Sequence, residues 1–333
     1  MSKPYRIYGA ELSPYSVKVR SFCRYKGVPH RWLMRDESTI ADYQKFAKLP
    51  LIPLLITPEE EGIQDSTPIL EALERRHPDP STHPDEPAAR FLSILLEEFG
   101  DEWGNNWRVH LRWARQEDRL SAGGRLAAAM VKPGDEAGRI AARAKVIERM
   151  TARVWFVGSS EETAPQIEGS FLETIALLDA HLAERPYLFG GRPSFGDFGL
   201  WAQIYEAWTD PTGGAWIERG APRVLDWIQR MLFPRAEGPF EKLAAILPTL
   251  EPLLARQVGA LFCPWTLANE GAIAGSQESF EVELAGQRFS QKPQKYHARS
   301  LAALRARYAE CPDKAALDPI LARTGCLAAV QAR

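Results

Sequence analysis

Cysteine is scarce in this 333-residue chain, with four residues only, Cys23, Cys263, Cys311 and Cys326. They are too scattered to make a zinc site or a disulfide framework, and reduced thiols in a cytoplasmic protein are the simple account. An excess of charge of either sign is also missing. Lys plus Arg number 41 against 43 Asp plus Glu, for a formal net charge of −2, so no broad field toward nucleic acid or anionic lipid is implied. No run of about eighteen uninterrupted apolar residues occurs, and the opening MSKPYRIY enters a strand with no apolar leader region. Neither export nor membrane spanning is expected. The length allows two domains and a well-buried core.

What is present begins with the segment LSPYSVKVR, Leu12 to Arg20, which follows the apolar run Tyr5, Ile7, Tyr8. A hydroxyl and a proline stand where a strand turns into a helix. Pro14 suits the first helical position, where its missing N–H costs nothing, and Ser13 reads as the N-cap. A helix N-terminus carries unpaired N–H groups and the positive end of the dipole, so a thiol docked beside Ser13 would be favoured in its ionised form. The plain alternative is that Ser13 caps its own helix and does nothing else.

Downstream, the apolar run LPLIPLLI, Leu49 to Ile56, carries Pro53 in its middle. A central strand would lose a ladder bond there, so the segment is an edge or the proline has a geometric role, a cis bond after Ile52 being one solution. A turn at Gly62 and a short strand lead to Asp65-Ser66, heading a helix with Pro68 in its first turn. The hydroxyls of Ser66 and Thr67, one carboxylate and several orphan N–H groups suit the end group of an α-amino acid.

Taken together, these first eighty or so residues resemble the thioredoxin-like N-terminal domain of glutathione transferases, in the order β-α-β-α-β-β-α. The resemblance implies an α/β domain with a mixed four-stranded sheet, followed by an all-α domain. It implies Ser13 as the catalytic residue contacting the glutathione sulfur, Ile52 and Pro53 pairing with the cysteinyl part, and Asp65 with Ser66 holding the γ-glutamyl end. A serine immediately before the proline is similar to the tau class, and to the omega class with its cysteine. Tyr5 and Tyr8 are the other hydroxyls in reach of a tyrosine-type reading. Two positions depart from the pattern. Leu51 stands where a lysine often precedes the cis-proline dipeptide, leaving Lys45 or Lys48 to serve the glycine carboxylate, and Asp65 is one methylene shorter than the usual Glu or Gln.

The segment HPDPSTHPDEP, His77 to Pro87, with four prolines, separates two domains. Beyond it Ile167, Phe171, Ile175, Leu178 and Leu182 share one buried helical face, while Lys132–Gly138, Gly158–Gln166 and Thr209–Gly214 read as loops. In RPSFGDFGLWAQIYEAW, Ser194 and Asp197 make a capping box, with Asp in place of Glu. Glutathione transferases carry a similar cap on the buried helix of their helical domain, so its role is structural. In FGDEWGNNWRVHLRW, Trp103, Trp107 and His110 fall on one face. By the resemblance they, with Tyr15, line an apolar second-substrate pocket suited to a planar electrophile; the alternative is core or dimer packing.

The expected domains are 1–78, a linker at 79–87, a helical domain at 88–235 and an extension at 236–333. In the extension, Phe240, Leu243, Leu247, Leu250 and Leu254 suggest a helix despite Pro248 and Pro252. Phe280, Val282 and Leu284 alternate across an Ala285-Gly286 turn to Phe289, and a helix with Leu301, Leu304 and Tyr308 follows. The resemblance implies a cytoplasmic, homodimeric enzyme joining glutathione, its co-substrate, to a small hydrophobic electrophile, with no metal and no redox cofactor required. Two further readings stand beside it: a binding or scaffold protein of the same fold with little turnover, and an omega-like thiol transferase. The last needs a cysteine where Ser13 stands.

Overall fold

The computed structural model describes residues 3–36 and 38–331; Met1 and Ser2, where the reading of the N-terminus begins, lie outside them. The N-terminal domain runs β1 (Tyr5–Gly9), α1 (Pro14–Tyr25), β2 (His30–Met34), α2 (Ile40–Phe46), β3 (Leu54–Ile56), β4 (Gly62–Gln64) and α3 (Ser66–Arg76). The strands form one mixed sheet in the order β2-β1-β3-β4, with β1 parallel to β2 and antiparallel to β3. Gly9 ends β1 because nothing larger fits there. A Cβ at that position would lie 2.4 Å from the Trp32 ring and 2.9 Å from Ser16 Cβ.

The helical part comprises α4 (Pro87–Glu102), α5 (Gly104–Ala114), α6 (Gln116–Ala128), α7 (Glu136–Thr151), a 3-10 turn (Val154–Val157), α8 (Ala164–His181), α9 (Phe195–Trp208), α10 (Pro211–Gly220) and α11 (Pro222–Leu232). Helix α9 is the centre, buried along almost its whole length. It meets α4 so closely that a Cβ on Gly100 would sit 2.5 Å from the Leu200 backbone. Its start is the expected capping box: Ser194 N–H and Oγ–H donate to Asp197 Oδ2 at 2.8 and 2.6 Å. Leu188 N–H and the Trp227 indole donate to the other oxygen at 3.0 and 2.9 Å. The apolar face read from Ile167 to Leu182 is buried in α8 and just beyond it.

One local expectation needs correction. Thr209–Gly214 is not a loop, since α10 begins at Pro211. Proline at the first helical position starts a helix as readily as it breaks one.

The extension forms α12 (Leu243–Leu253), a π-helical stretch (Leu254–Phe262), α13 (Cys263–Ala274), a hairpin of β5 (Phe280–Leu284) and β6 (Gln287–Gln291), then α14 (Lys295–Glu310), α15 (Lys314–Arg323) and α16 (Leu327–Val330). The hairpin turns at Ala285 and Gly286, with φ of 49° and 79°, the positive values a two-residue turn needs. Pro248 and Pro252 lie inside α12. The extension shares the main core: Phe262 packs edge-on against Phe99, and Trp265 against Trp103. Each of the four cysteines is a buried free thiol.

Candidate active site

Strand register gathers three of the expected residues at one end of the sheet. Leu54 pairs with Tyr8 on one side and with Gln64 on the other. The cis Ile52-Pro53 bond just before Leu54, the Ser13 turn just after β1, and Asp65 just after Gln64 therefore share that end. The loop before Pro53 is pinned in place. The Tyr43 hydroxyl donates to the carbonyls of Leu49 and Leu51 at 2.9 and 2.6 Å, and the Gln64 amide nitrogen donates to the same two at 2.8 and 3.0 Å. Lys48 is exposed beside it, its backbone N–H donating to Gln64 Oε1 at 2.7 Å. Lys45 lies 3.5 Å from Asp42.

Ser13 is the N-cap of α1 and Pro14 its first residue. Ser13 Oγ accepts from Ser16 N–H at 3.3 Å and from Ser16 Oγ–H at 3.0 Å. A hydroxyl has one proton and two acceptor lone pairs. With both lone pairs engaged, the Ser13 proton is the part left to donate. Among the other hydroxyls, Tyr8 is buried and donates to Asp42 at 2.7 Å, and Tyr5 pairs with His77. Both are thereby committed within the sheet domain.

Asp65 and Ser66 diverge. Ser66 is buried, lies 3.4 Å from Lys18 Nζ and donates to Asp101 Oδ2 at 3.3 Å. Its hydroxyl is turned inward, so as a side-chain contact for an amino-acid end group it is corrected; the N-terminus of α3 is anchored to α4 instead. Lys18 is the hub of that anchor. Fully buried, it binds Asp101 Oδ2 at 2.6 Å, Glu97 and Thr67 Oγ1. Burial opposes its charge, but Asp101 and Glu97 outweigh burial and hold the ammonium above its ordinary range. Two carboxylates to one buried cation is one charge too many, and burial drives the Asp101 carboxyl up. Neither Lys18 nor its two acids were singled out from sequence; Glu97 and Asp101, four apart and so on one face of helix α4, were the available signal.

Asp65 does not cap α3. Its backbone has φ 80°, a region L-residues rarely occupy, and its carboxylate accepts the Tyr296 hydroxyl at 2.5 Å.

The second-substrate wall expected from Trp103, Trp107 and His110 is corrected. Both tryptophans are buried, 0% and 1% exposed, and both indoles donate to Ser170 Oγ on α8 at 3.0 Å. His110 is buried between Ser159 Oγ at 2.8 Å and Glu168 Oε1 at 2.9 Å. The periodicity marks a face that packs on α8 and the extension. The face of α5 that meets the Ser13 turn carries Arg112 instead. That guanidinium, held by Glu206 and Asp210 at 2.7 Å each, donates to the Leu12 carbonyl at 3.1 Å. Arg108, one turn earlier, is lowered to about 10 by burial and by Arg112. Tyr15 is half-buried and donates to the Asp101 carbonyl at 3.2 Å, closing the seam between the sheet domain and α4.

A serine-capped helix at the end of a mixed four-stranded sheet, joined to a helical domain built on a buried capped helix, is the architecture that the resemblance implied. Residues 7–81 match the family model of the glutathione S-transferase N-terminal domain, and residues 145–230 that of the C-terminal domain. The chain belongs to the glutathione S-transferase family. Among solved structures, it is similar to a glutathione S-transferase from Methylobacterium radiotolerans in complex with glutathione sulfonate, at 22% identity over 72% of this chain and 97% of that one, TM-score 0.44. It is also similar to a beta-etherase from Sphingobium sp. strain SYK-6, at 21% identity over 69% and 95%, TM-score 0.49. A glutathione S-transferase from Methylobacillus flagellatus with glutathione bound follows at 17% over 74% and 98%, TM-score 0.41. No curated protein sequence matches the chain significantly. Among the described residues, no helix is long and apolar enough to cross a membrane, and no group of His, Cys, Asp and Glu is arranged to hold a metal ion.

Proposed function

We propose that the chain binds glutathione and joins its thiolate to a small electrophile, working as a cytoplasmic homodimer. Ser13 Oγ–H donates to the sulfur, the Ile52 backbone before Pro53 meets the cysteinyl part, and Asp65 holds the α-ammonium of the γ-glutamyl end. The observation that carries the reading is the place of Ser13 as N-cap of α1, its Oγ accepting from Ser16 N–H and Oγ–H. A free thiol of pKa about 8.5 is only roughly 3% ionised at pH 7. A hydrogen bond to a charged acceptor is worth about 1.5–3 kcal/mol, or one to two pKa units, which makes the thiolate a major species.

The inward turn of Ser66 favours a second reading, a glutathione-fold binding protein with little turnover, because one of the expected contacts to the γ-glutamyl end is spent inside the protein. Calorimetric titration with glutathione, followed by conjugation of chlorodinitrobenzene, separates them. The enzyme reading expects binding and turnover, with turnover cut about tenfold or more in Ser13→Ala. Binding without conjugation of any electrophile tested selects the second reading; no binding rejects both.

A further inference from the structure

The acid of the candidate γ-glutamyl contact is held from 231 residues away. Asp65 is a short carboxylate on a residue of positive φ, and it accepts no bond from its own helix N-terminus. Among the described residues, its one side-chain hydrogen bond comes from Tyr296 Oη, at 2.5 Å to Oδ2. Tyr296 lies on the first turn of α14, in the extension, beyond both matched family domains.

Its neighbours in sequence fix it in place. Gln294 N–H donates to Asn269 Oδ1 at 2.7 Å, and the Asn269 amide nitrogen donates back to the Gln294 carbonyl at 3.0 Å. On the other side, buried His297 contacts Glu102 of α4 and packs against Trp265, ring centroids 4.8 Å apart. The Tyr296 side chain is thus aimed by two anchored residues rather than by its own contact with Asp65. Its hydroxyl is pushed upward by burial and then by Asp65, so it stays a donor over the whole physiological range. Half of the tyrosine remains exposed, 48% by area, which places it at the rim of the sheet end.

A carboxylate offers about four lone-pair sites. One phenol on Oδ2 leaves Oδ1 for a second donor. We propose that Tyr296 is a positioning residue of the glutathione site: it holds the short Asp65 side chain by one oxygen so that the other meets the γ-glutamyl ammonium. The proposal rests on the glutathione reading above. It gives the extension a role in ligand recognition, and it offsets the missing methylene at Asp65 by orienting what is there, which lowers the ordering cost of binding.

The test is titration of full-length wild type and Tyr296→Phe with two thiols, glutathione and cysteinylglycine, the second lacking the γ-glutamyl group. The expected result is a glutathione affinity about tenfold weaker in Tyr296→Phe, with cysteinylglycine affinity unmoved and the kinetic effect falling on KM for glutathione rather than on kcat. On an Asp65→Ala background, Tyr296→Phe should do nothing further, because the group it orients is gone. Glutathione binding that is equal or tighter in Tyr296→Phe overturns the proposal, as does equal weakening for both thiols. Wild type that binds cysteinylglycine and glutathione equally, or neither, instead overturns the placement of the γ-glutamyl end on Asp65, and the proposal with it.

Discussion

Two helix N-termini meet at the same end of the sheet, and they are completed in opposite ways. At α1, Ser13 takes its partners from Ser16, three residues on. At α3, Asp65 caps nothing locally and is met by Tyr296 of the extension. The first arrangement is complete as soon as one helical turn forms. The second exists only when the whole chain has folded, so the side-chain cap at the proposed thiol end is local while the proposed amino-acid end depends on a residue more than two hundred positions away.

The comparison can be broken most violently by removing residues 236–333. The extension contributes Leu250, Leu254, Val258, Phe262 and Trp265 to the main core, and its loss exposes the aromatic faces of Phe99 and Trp103. Aggregation, or a fall in melting temperature of more than about 10 °C, is expected. A truncated chain that melts within a degree or two of the full one would show that the extension is an appendage.

A second local cap gives a measure of what such caps are worth when buried. Asp197→Ala leaves Ser194, Leu188 N–H and the Trp227 indole without their shared acceptor. Denaturant unfolding should show a loss of about 2–4 kcal/mol, while glutathione affinity of the folded fraction is unchanged. A shift in the midpoint smaller than experimental error would contradict the buried-cap account.

The long-range side has its own, smaller probe in Glu98, on the face of α4 that α14 covers. Burial, then Glu97, pushes its carboxyl up to about 8, against the pull of a Ser300 hydrogen bond. A carboxyl raised in the folded state contributes stability that is fully present below its ordinary range and is lost as pH rises through about 8. Glu98→Gln, permanently neutral, should therefore match wild type near pH 4 and exceed it near pH 9 by on the order of 1 kcal/mol or more. Parallel stability curves for the two proteins would place the ionised form in the fold at neutral pH.

What was legible in the sequence follows the same division. Ser13 with Pro14, Ser194 with Asp197, and the Ala285-Gly286 turn were readable because caps and tight turns are written in three or four adjacent residues. The order of strands and helices in the sheet domain came instead from the family resemblance that these short motifs carry. Trp103, Trp107 and His110 show where that reading stops: a period of 3.6 identifies a shared face, but nothing local says whether the face meets a ligand or, as here, Ser170 and the extension. The Lys18 cluster was hidden because a lysine between Val17 and Val19 looks like a solvated position until the two acids of α4 are brought to it. Tyr296 was beyond reach altogether, since its partner is set by the packing of the extension as a whole.

The central claim is that Ser13 keeps a proton free for a sulfur, and it is tested most directly by following ionisation of bound glutathione against pH by ultraviolet absorbance, in wild type and Ser13→Ala. Ser13→Ala should still bind glutathione, with the midpoint of thiol ionisation raised by about one to two units. An unchanged midpoint, with glutathione bound and the fold intact, would contradict the assignment and place the thiol beyond the reach of Ser13.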